Sequence, residues 1–181
     1  MPNTQSSSIV NKMVRAAKLD IDLYEEVEAD RTATRQAFVV VLISSIAAGL
    51  GLGLQALIFS DSDFGTMDII WALIGGILSA IVMWLVFAWL TYFVGTRLFA
   101  GPETSADWGE LLHTLGFSTA PGVLRIVPLL NFFVFFWMIV TAVVAVRQAL
   151  DFTTGRAIGT ILVAILPTLI IQFLVMTLLG F

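Results

Sequence analysis

From Gln36 to Ser60 the chain carries no charged residue, and the same is true of the 28 residues from Ile69 to Thr96. About 20 apolar residues cross the hydrocarbon of a bilayer, so these stretches predict membrane-spanning helices over roughly 36–59 and 69–96. The second is long enough that it must tilt or extend beyond the core. Two more apolar stretches predict spans at roughly 129–149 and 157–180. Between them, roughly 110–127 is apolar but interrupted by His113, Pro121-Gly122 and Arg125. Proline removes a helical hydrogen bond and crowds the preceding turn, so a third span here should kink or break at Pro121 and Gly122. Pro128 and Pro167 are the other interrupters.

A different periodicity precedes the spans. Ile9, Val10, Met13, Val14 and Ala17 fall on one stripe at helical period, flanked by Lys12, Arg15 and Lys18. A helix of this kind lies in the headgroup layer with its cations toward anionic lipid, or it packs against the ends of the bundle. In LDIDLYEEVEAD, Asp20 or Asp22 suits the start of a second short helix, with Glu25 and Glu26 in its first turn. The six carboxylates from Asp20 to Asp30 do not make a calcium loop, because Glu25 stands where the sharp turn needs glycine. They read as a solvated acidic face. Residues 1–7 are polar and expected to be unstructured. The organisation expected is a cytoplasmic amphipathic segment over 1–35 and a five-span membrane domain over 36–181, an all-α integral membrane fold.

Composition supports lipid as the solvent. Hydrophobic residues make up 59% of the 181, charged residues 12%, and the mean hydropathy is +0.98, far from the balance of soluble domains. Half of the 22 charged residues precede Gln36, so the net charge of −4 describes no general partner, and there is no basic face for nucleic acid. With no cysteine, disulfides and thiolate chemistry are excluded. The first apolar run begins too late, and is too long, for a cleaved signal.

Orientation follows from Lys and Arg. With the N-terminus inside and five crossings, Lys12, Arg15, Lys18, Arg31, Arg35, Arg97, Arg147 and Arg156 all fall inside, and only Arg125 falls outside. A re-entrant third segment would put Arg147 and Arg156 outside instead. The expected topology is therefore N-terminus in and C-terminus out, in a bacterial cytoplasmic (inner) membrane. The acidic loop Ser60–Asp68 agrees, since it carries three Asp and no basic residue. Trp71, Trp89, Tyr92 and Trp108 stand near the expected interfaces, as an aromatic belt requires.

Gly49, Gly51 and Gly53 sit at membrane depth, where a nucleotide loop has no strand to follow. Gly49 with Gly53, Gly155 with Gly159, and Gly76 with Ala80 are small-xxx-small pairs. Such pairs let helices approach closely in lipid and are expected to pack the bundle. His113, the lone histidine, has no second ligand at useful spacing and reads as a hydrogen-bonding residue. Apart from Glu110 at the very start of the third, no span contains an Asp or Glu to act as acid or base, so no enzyme and no cofactor are expected. The topology brings Gln55, Arg125, Asn131 and Gln172, from four spans, into the outer leaflet. They form an outward polar pocket for something like a lipid headgroup, or they are ordinary interface residues with a snorkelling arginine.

Tyr92 to Pro128, YFVGTRLFAGPETSADWGELLHTLGFSTAPGVLRIVP, resembles the Yip1-domain family of small polytopic membrane proteins. It has that family's aromatic-x-x-Gly helix end, a short polar loop, and a Leu-Gly-aromatic-Ser-x-x-Pro segment at Leu115, Gly116, Phe117, Ser118 and Pro121. VRQALDFTTGRAIGTILVAILP, with Ala149 and Arg156-Ala157-Ile158, is similar to the family's link into its last helix, and LDIDLYEEVEADRTATRQAF resembles the N-terminal segment of prokaryotic members. The resemblance implies five spans and a cytoplasmic N-terminus. Eukaryotic relatives act in ER–Golgi trafficking and bind Rab GTPases through longer tails with an Asp-Leu-Tyr-Gly-Pro-like motif. Here Asp22-Leu23-Tyr24 is followed by Glu25-Glu26, so GTPase binding does not carry over.

These readings lead to a non-enzymatic membrane organiser or accessory subunit whose partners are lipids and other integral membrane proteins, in homo- or hetero-oligomers. The alternative is a small transporter or channel component using the outward polar pocket. A water-filled path, or Arg125 facing the bundle centre, would favour that alternative.

Overall fold

The computed structural model describes residues 8–59, 65–105 and 107–179; residues 1–7 and most of the acidic 60–68 loop therefore lie outside the described residues. All its regular structure is helical. Two short helices, α1 (Ile9–Ala17) and α2 (Ile21–Ala29), precede two long ones, α3 (Ala33–Phe59) and α4 (Thr66–Leu98). After α5 (Trp108–Ser118) come two 3-10 segments, Ala120–Ile126 and Pro128–Leu130, then α6 (Asn131–Ala149) and α7 (Thr154–Leu179). Four of these helices are long and apolar enough to cross a membrane, within Ala33–Gln55, Leu73–Leu98, Pro128–Ala149 and Thr154–Val175.

The segment over 110–127, expected to kink or break at Pro121 and Gly122, is not one continuous α-helix. Its α-helical part stops at Ser118, because Pro121 has no N–H to donate and disfavours helical geometry in the residue before it. The side chains help the chain tighten: the Ser118 hydroxyl donates to the Leu115 carbonyl at 2.8 Å and Thr119 to Gly116 at 2.7 Å. The Gly122 N–H then bonds the Thr119 carbonyl at 2.8 Å, a three-residue step.

This broken segment runs beside α3 and in the same direction. The Thr34 hydroxyl meets His113 Nε2 at 2.6 Å, and the Ser44 hydroxyl donates to the Thr119 carbonyl at 2.9 Å. Farther along, the backbone of Arg125 lies directly over Gly51. From Thr34 to Gly51, α3 advances about 26 Å at an α-helical rise. From His113 to Arg125 the segment advances about 22 Å, because its 3-10 part rises faster per residue. The break costs the segment little of its reach.

α6 returns antiparallel to it. The Thr141 hydroxyl donates to the Ser118 carbonyl at 2.7 Å, and Arg125 Nε donates to Asn131 Oδ1 at 3.3 Å. α4 packs on α3 and α7, and α7 packs on α6, so the long elements close a ring. Neither α1 nor α2 stands apart: Met13, Ala16, Leu23, Tyr24 and Val27 share one buried cluster with Ala37, Leu111 and Ala145.

Glycine makes the closest approaches. A Cβ on Gly116 would stand 2.6 Å from the Ala37 Cβ and 3.2 Å from Trp84, and one on Gly51 would overlap the Arg125 carbonyl oxygen. Of the glycines expected to pack helices, Gly49 lies against Leu73 and Gly159 against Phe99, whereas Gly53, Gly76 and Gly155 have nothing within 4 Å. Overpacking a close contact costs about 2 kcal/mol, so Gly116→Val should lower the thermal midpoint in detergent by several degrees. Gly155→Ala, in open space, should leave it within about 0.5 kcal/mol of the parent. Equal effects from both would show that the α3–α5 contact is not a tight one.

Candidate functional site

The ring of α3, α4, α5 with its 3-10 extension, α6 and α7 surrounds a cavity of about 1000 Å³. Its inner end is formed by Val41, Phe87, Leu115, Ala142 and Ile161. Beyond them, toward α1 and α2, buried Ala37, Ala88, Leu111, Ala145 and Ala157 fill the bundle, so the cavity is blind at that end. Its other end is lined by Gly53, Trp71, Arg125, Phe135 and Gln172.

Most of the wall is aliphatic or aromatic, and its polar groups are largely committed. Ser45 donates to the Leu42 carbonyl at 2.8 Å and Thr168 to Ala164 at 2.7 Å, the usual way helix hydroxyls are satisfied in lipid. Gln172 Nε2 donates to the Ser79 hydroxyl at 3.2 Å and ties α7 to α4. Two groups on the wall are exceptions: the Trp84 indole N–H, buried without a partner among the described residues, and Arg125. The Arg125 Nε is held by Asn131, which is itself anchored by its Nδ2 to the Pro128 carbonyl at 3.1 Å. Among the described residues no carboxylate pairs with the guanidinium.

The outward polar residues are thus only partly assembled. Arg125 and Asn131 are bonded, and Gln172 lines the same cavity from the opposite side of the ring. Gln55 is exposed and does not line it. Gly49, Gly53, Gly76 and Ala80 all line the cavity, so two of the glycines assigned to helix packing, Gly53 and Gly76, leave space instead. Pro121 and Gly122 are buried where the α-helix gives way to 3-10. Ser44, Trp84 and Gly51 carry no sequence signal that would have marked them; only the parallel run of two segments shows their place.

Four long apolar helices and a lipid-like composition make this a multi-pass membrane protein. A family model, the Yip1 domain, matches residues 22–176, and the chain belongs to that family. No curated protein and no solved structure matches it.

α1, which packs along α5 and the 3-10 segment Ala120–Ile126 and accepts a bond from Trp137 Nε1 at the Ala17 carbonyl, is joined to α2 by ion pairs. Glu26 takes Lys12 Nζ and Arg15 Nη1 at 2.9 Å each, and Arg15 Nε reaches Asp20 at 2.7 Å. Lys12 is buried by this arrangement and Lys18 stays exposed, so Lys12 and Arg15 are turned toward Glu26. Burial works against the Glu26 carboxylate, but its bonds to Lys12 and Arg15 outweigh that and hold its pKa below the ordinary value. His113, read as a hydrogen-bonding residue, is buried against Thr34.

Glu28 behaves in the opposite sense. Burial, reinforced by Glu110, Asp151 and Glu25, pushes its pKa from 4.5 up to about 7. A carboxyl group raised on folding stabilises fully below its unfolded pKa and loses that contribution as pH rises through the folded one. The bundle should therefore weaken between about pH 4.5 and 7. Glu28→Gln should remove that loss and stabilise the protein at pH 8 by about 1 kcal/mol, after allowing for the water that still reaches the group. Thermal melts from pH 5 to 8 test it; parallel curves for parent and variant would count against it.

Proposed function

We propose that this protein is a non-enzymatic organiser or accessory subunit of a membrane assembly, held in a bacterial cytoplasmic membrane with α1 and α2 on the inner side. The observation that carries this reading is the blind end of the cavity. A conducting path would need polar groups continuing through the bundle, whereas close-packed alanines and leucines occupy that place. Arg125 lines the cavity, but it opens onto apolar wall. Membership of a family related to trafficking factors supports the same reading.

The surface offered to a partner is the face of α6. Phe132 and Phe133 are 67% and 69% exposed, and Phe136 and Trp137 lie beside them. Phe132 and Phe136 meet edge to face at 4.9 Å, which holds the ridge in one shape. Rigid aromatic side chains contribute disproportionately to protein contacts. Purification from native membranes into nanodiscs should recover a stoichiometric membrane partner, and replacing Phe132 and Phe136 by alanine should remove it while the protein still folds. Recovery of the protein alone, time after time, would defeat the proposal.

The same proposal includes five crossings, the broken segment being the third. What supports it is the eight-to-one distribution of basic residues and the parallel course of His113 to Arg125 beside α3. The absence of cysteine allows single labels. Leu129→Cys should react with an impermeant thiol reagent from outside, and Thr104→Cys and Thr153→Cys only from inside. Four crossings would exchange the sides of residues 129 and 153.

A further inference from the structure

We infer that the cavity holds one membrane phospholipid with an anionic headgroup, its phosphate on Arg125 and acyl chain in the apolar interior. Three observations carry this. The first is an unanswered charge. A guanidinium has five N–H donors; Nε of Arg125 is held by Asn131, and no other bond to its remaining donors occurs among the described residues. Arg125 is half-buried, and a charge drawn out of water without a partner is unfavourable. Anchoring of Asn131 to the Pro128 carbonyl fixes one edge of the guanidinium and leaves the Nη edge for a ligand. A two-oxygen acceptor such as a phosphate matches that edge.

The second is depth. Arg125 lies over Gly51, 17 residues along α3 from Thr34, or about 26 Å at helical rise. The hydrocarbon is about 30 Å thick, which puts the guanidinium near the headgroup level of the leaflet opposite Thr34. The third is the wall. The space behind Arg125 is about 1000 Å³, the upper end of ligand pockets at about 300–1,000 Å³. A soluble anion would have no use for it. Open space at Gly53 and Gly76, both on the wall, keeps room that any larger side chain would fill. An anionic head and an apolar tail are what these surfaces jointly recognise, and the surrounding bilayer supplies such a molecule.

The inference does not depend on the organiser reading. Native mass spectrometry of the full chain, delipidated and then titrated with phosphatidylglycerol or with diacylglycerol of identical chains, which lacks the phosphate, tests it. The parent should retain one phosphatidylglycerol with a preference of about tenfold or more, the worth of a charge-assisted pair. Arg125→Gln should erase the preference, and Arg125→Lys should restore part of it. Gly76→Leu leaves Arg125 in place and fills the cavity, so it should reduce retention of both lipids alike, whether or not Arg125→Gln folds. Equal retention of the two lipids by the parent would overturn the inference, as would unchanged binding in Gly76→Leu. Displacement of the lipid by millimolar inorganic phosphate would also overturn it, by showing that a free anion is the ligand.

Discussion

Close backbone approach between α3 and the segment from His113 to Arg125 is the contact on which the rest of the molecule depends. In lipid there is no hydrophobic drive to bring helices together, so shape and small residues decide which pairs pack. Ala37 faces Gly116, Ser44 faces Gly122, and Gly51 faces the Arg125 backbone. With larger residues at these positions, a segment broken at Pro121 would have no reason to stay against α3. With them, its 3-10 part is held straight and carries Arg125 to the far end of the bundle. α6 then folds back along the same segment, and the ring closes through α7 and α4 around the space left between them.

The α1–α2 pair solves a different problem. Lys12 lies on a helix whose apolar stripe packs against the bundle, so its ammonium is drawn away from water. Glu26 answers it and bridges to Arg15 as well, which leaves the stripe to be divided. Met13 and Ala16 face inward, while Val10 and Val14 stay outside, 64% and 47% exposed. One face of this short amphipathic helix is thus packed on the bundle and the other is left exposed.

The long helices were legible because hydrocarbon imposes one requirement, uncharged length, and α3, α4, α6 and α7 meet it openly. Family membership was legible for a related reason, since Leu115 to Pro121 combines residue types that only a particular break needs. The cavity was not. Gly49, Gly53 and Gly76 look alike in sequence, yet Gly49 meets Leu73 and the other two meet nothing; small residues allow contact and also allow space, and spacing does not distinguish the two. The polar residues failed in the same way. Arg125 and Asn131 are close in the chain and meet through a local turn, and Gln172 reaches the same cavity through α7. Gln55 is exposed and does not line the cavity, because position along a helix fixes depth and says nothing of rotation about its axis.

Space inside a membrane bundle has a physical consequence of its own. Atoms lining a void lose their dispersion contacts on one side, and a wall as apolar as this one holds water poorly. An empty cavity of about 1000 Å³ is therefore an unfavourable state for these helices, while hydrocarbon chains lie immediately outside them. Filling by lipid restores the contacts, and Arg125 at one end biases which lipid enters. The same break that made the third segment the least regular part of the sequence places that arginine where a phosphate arrives.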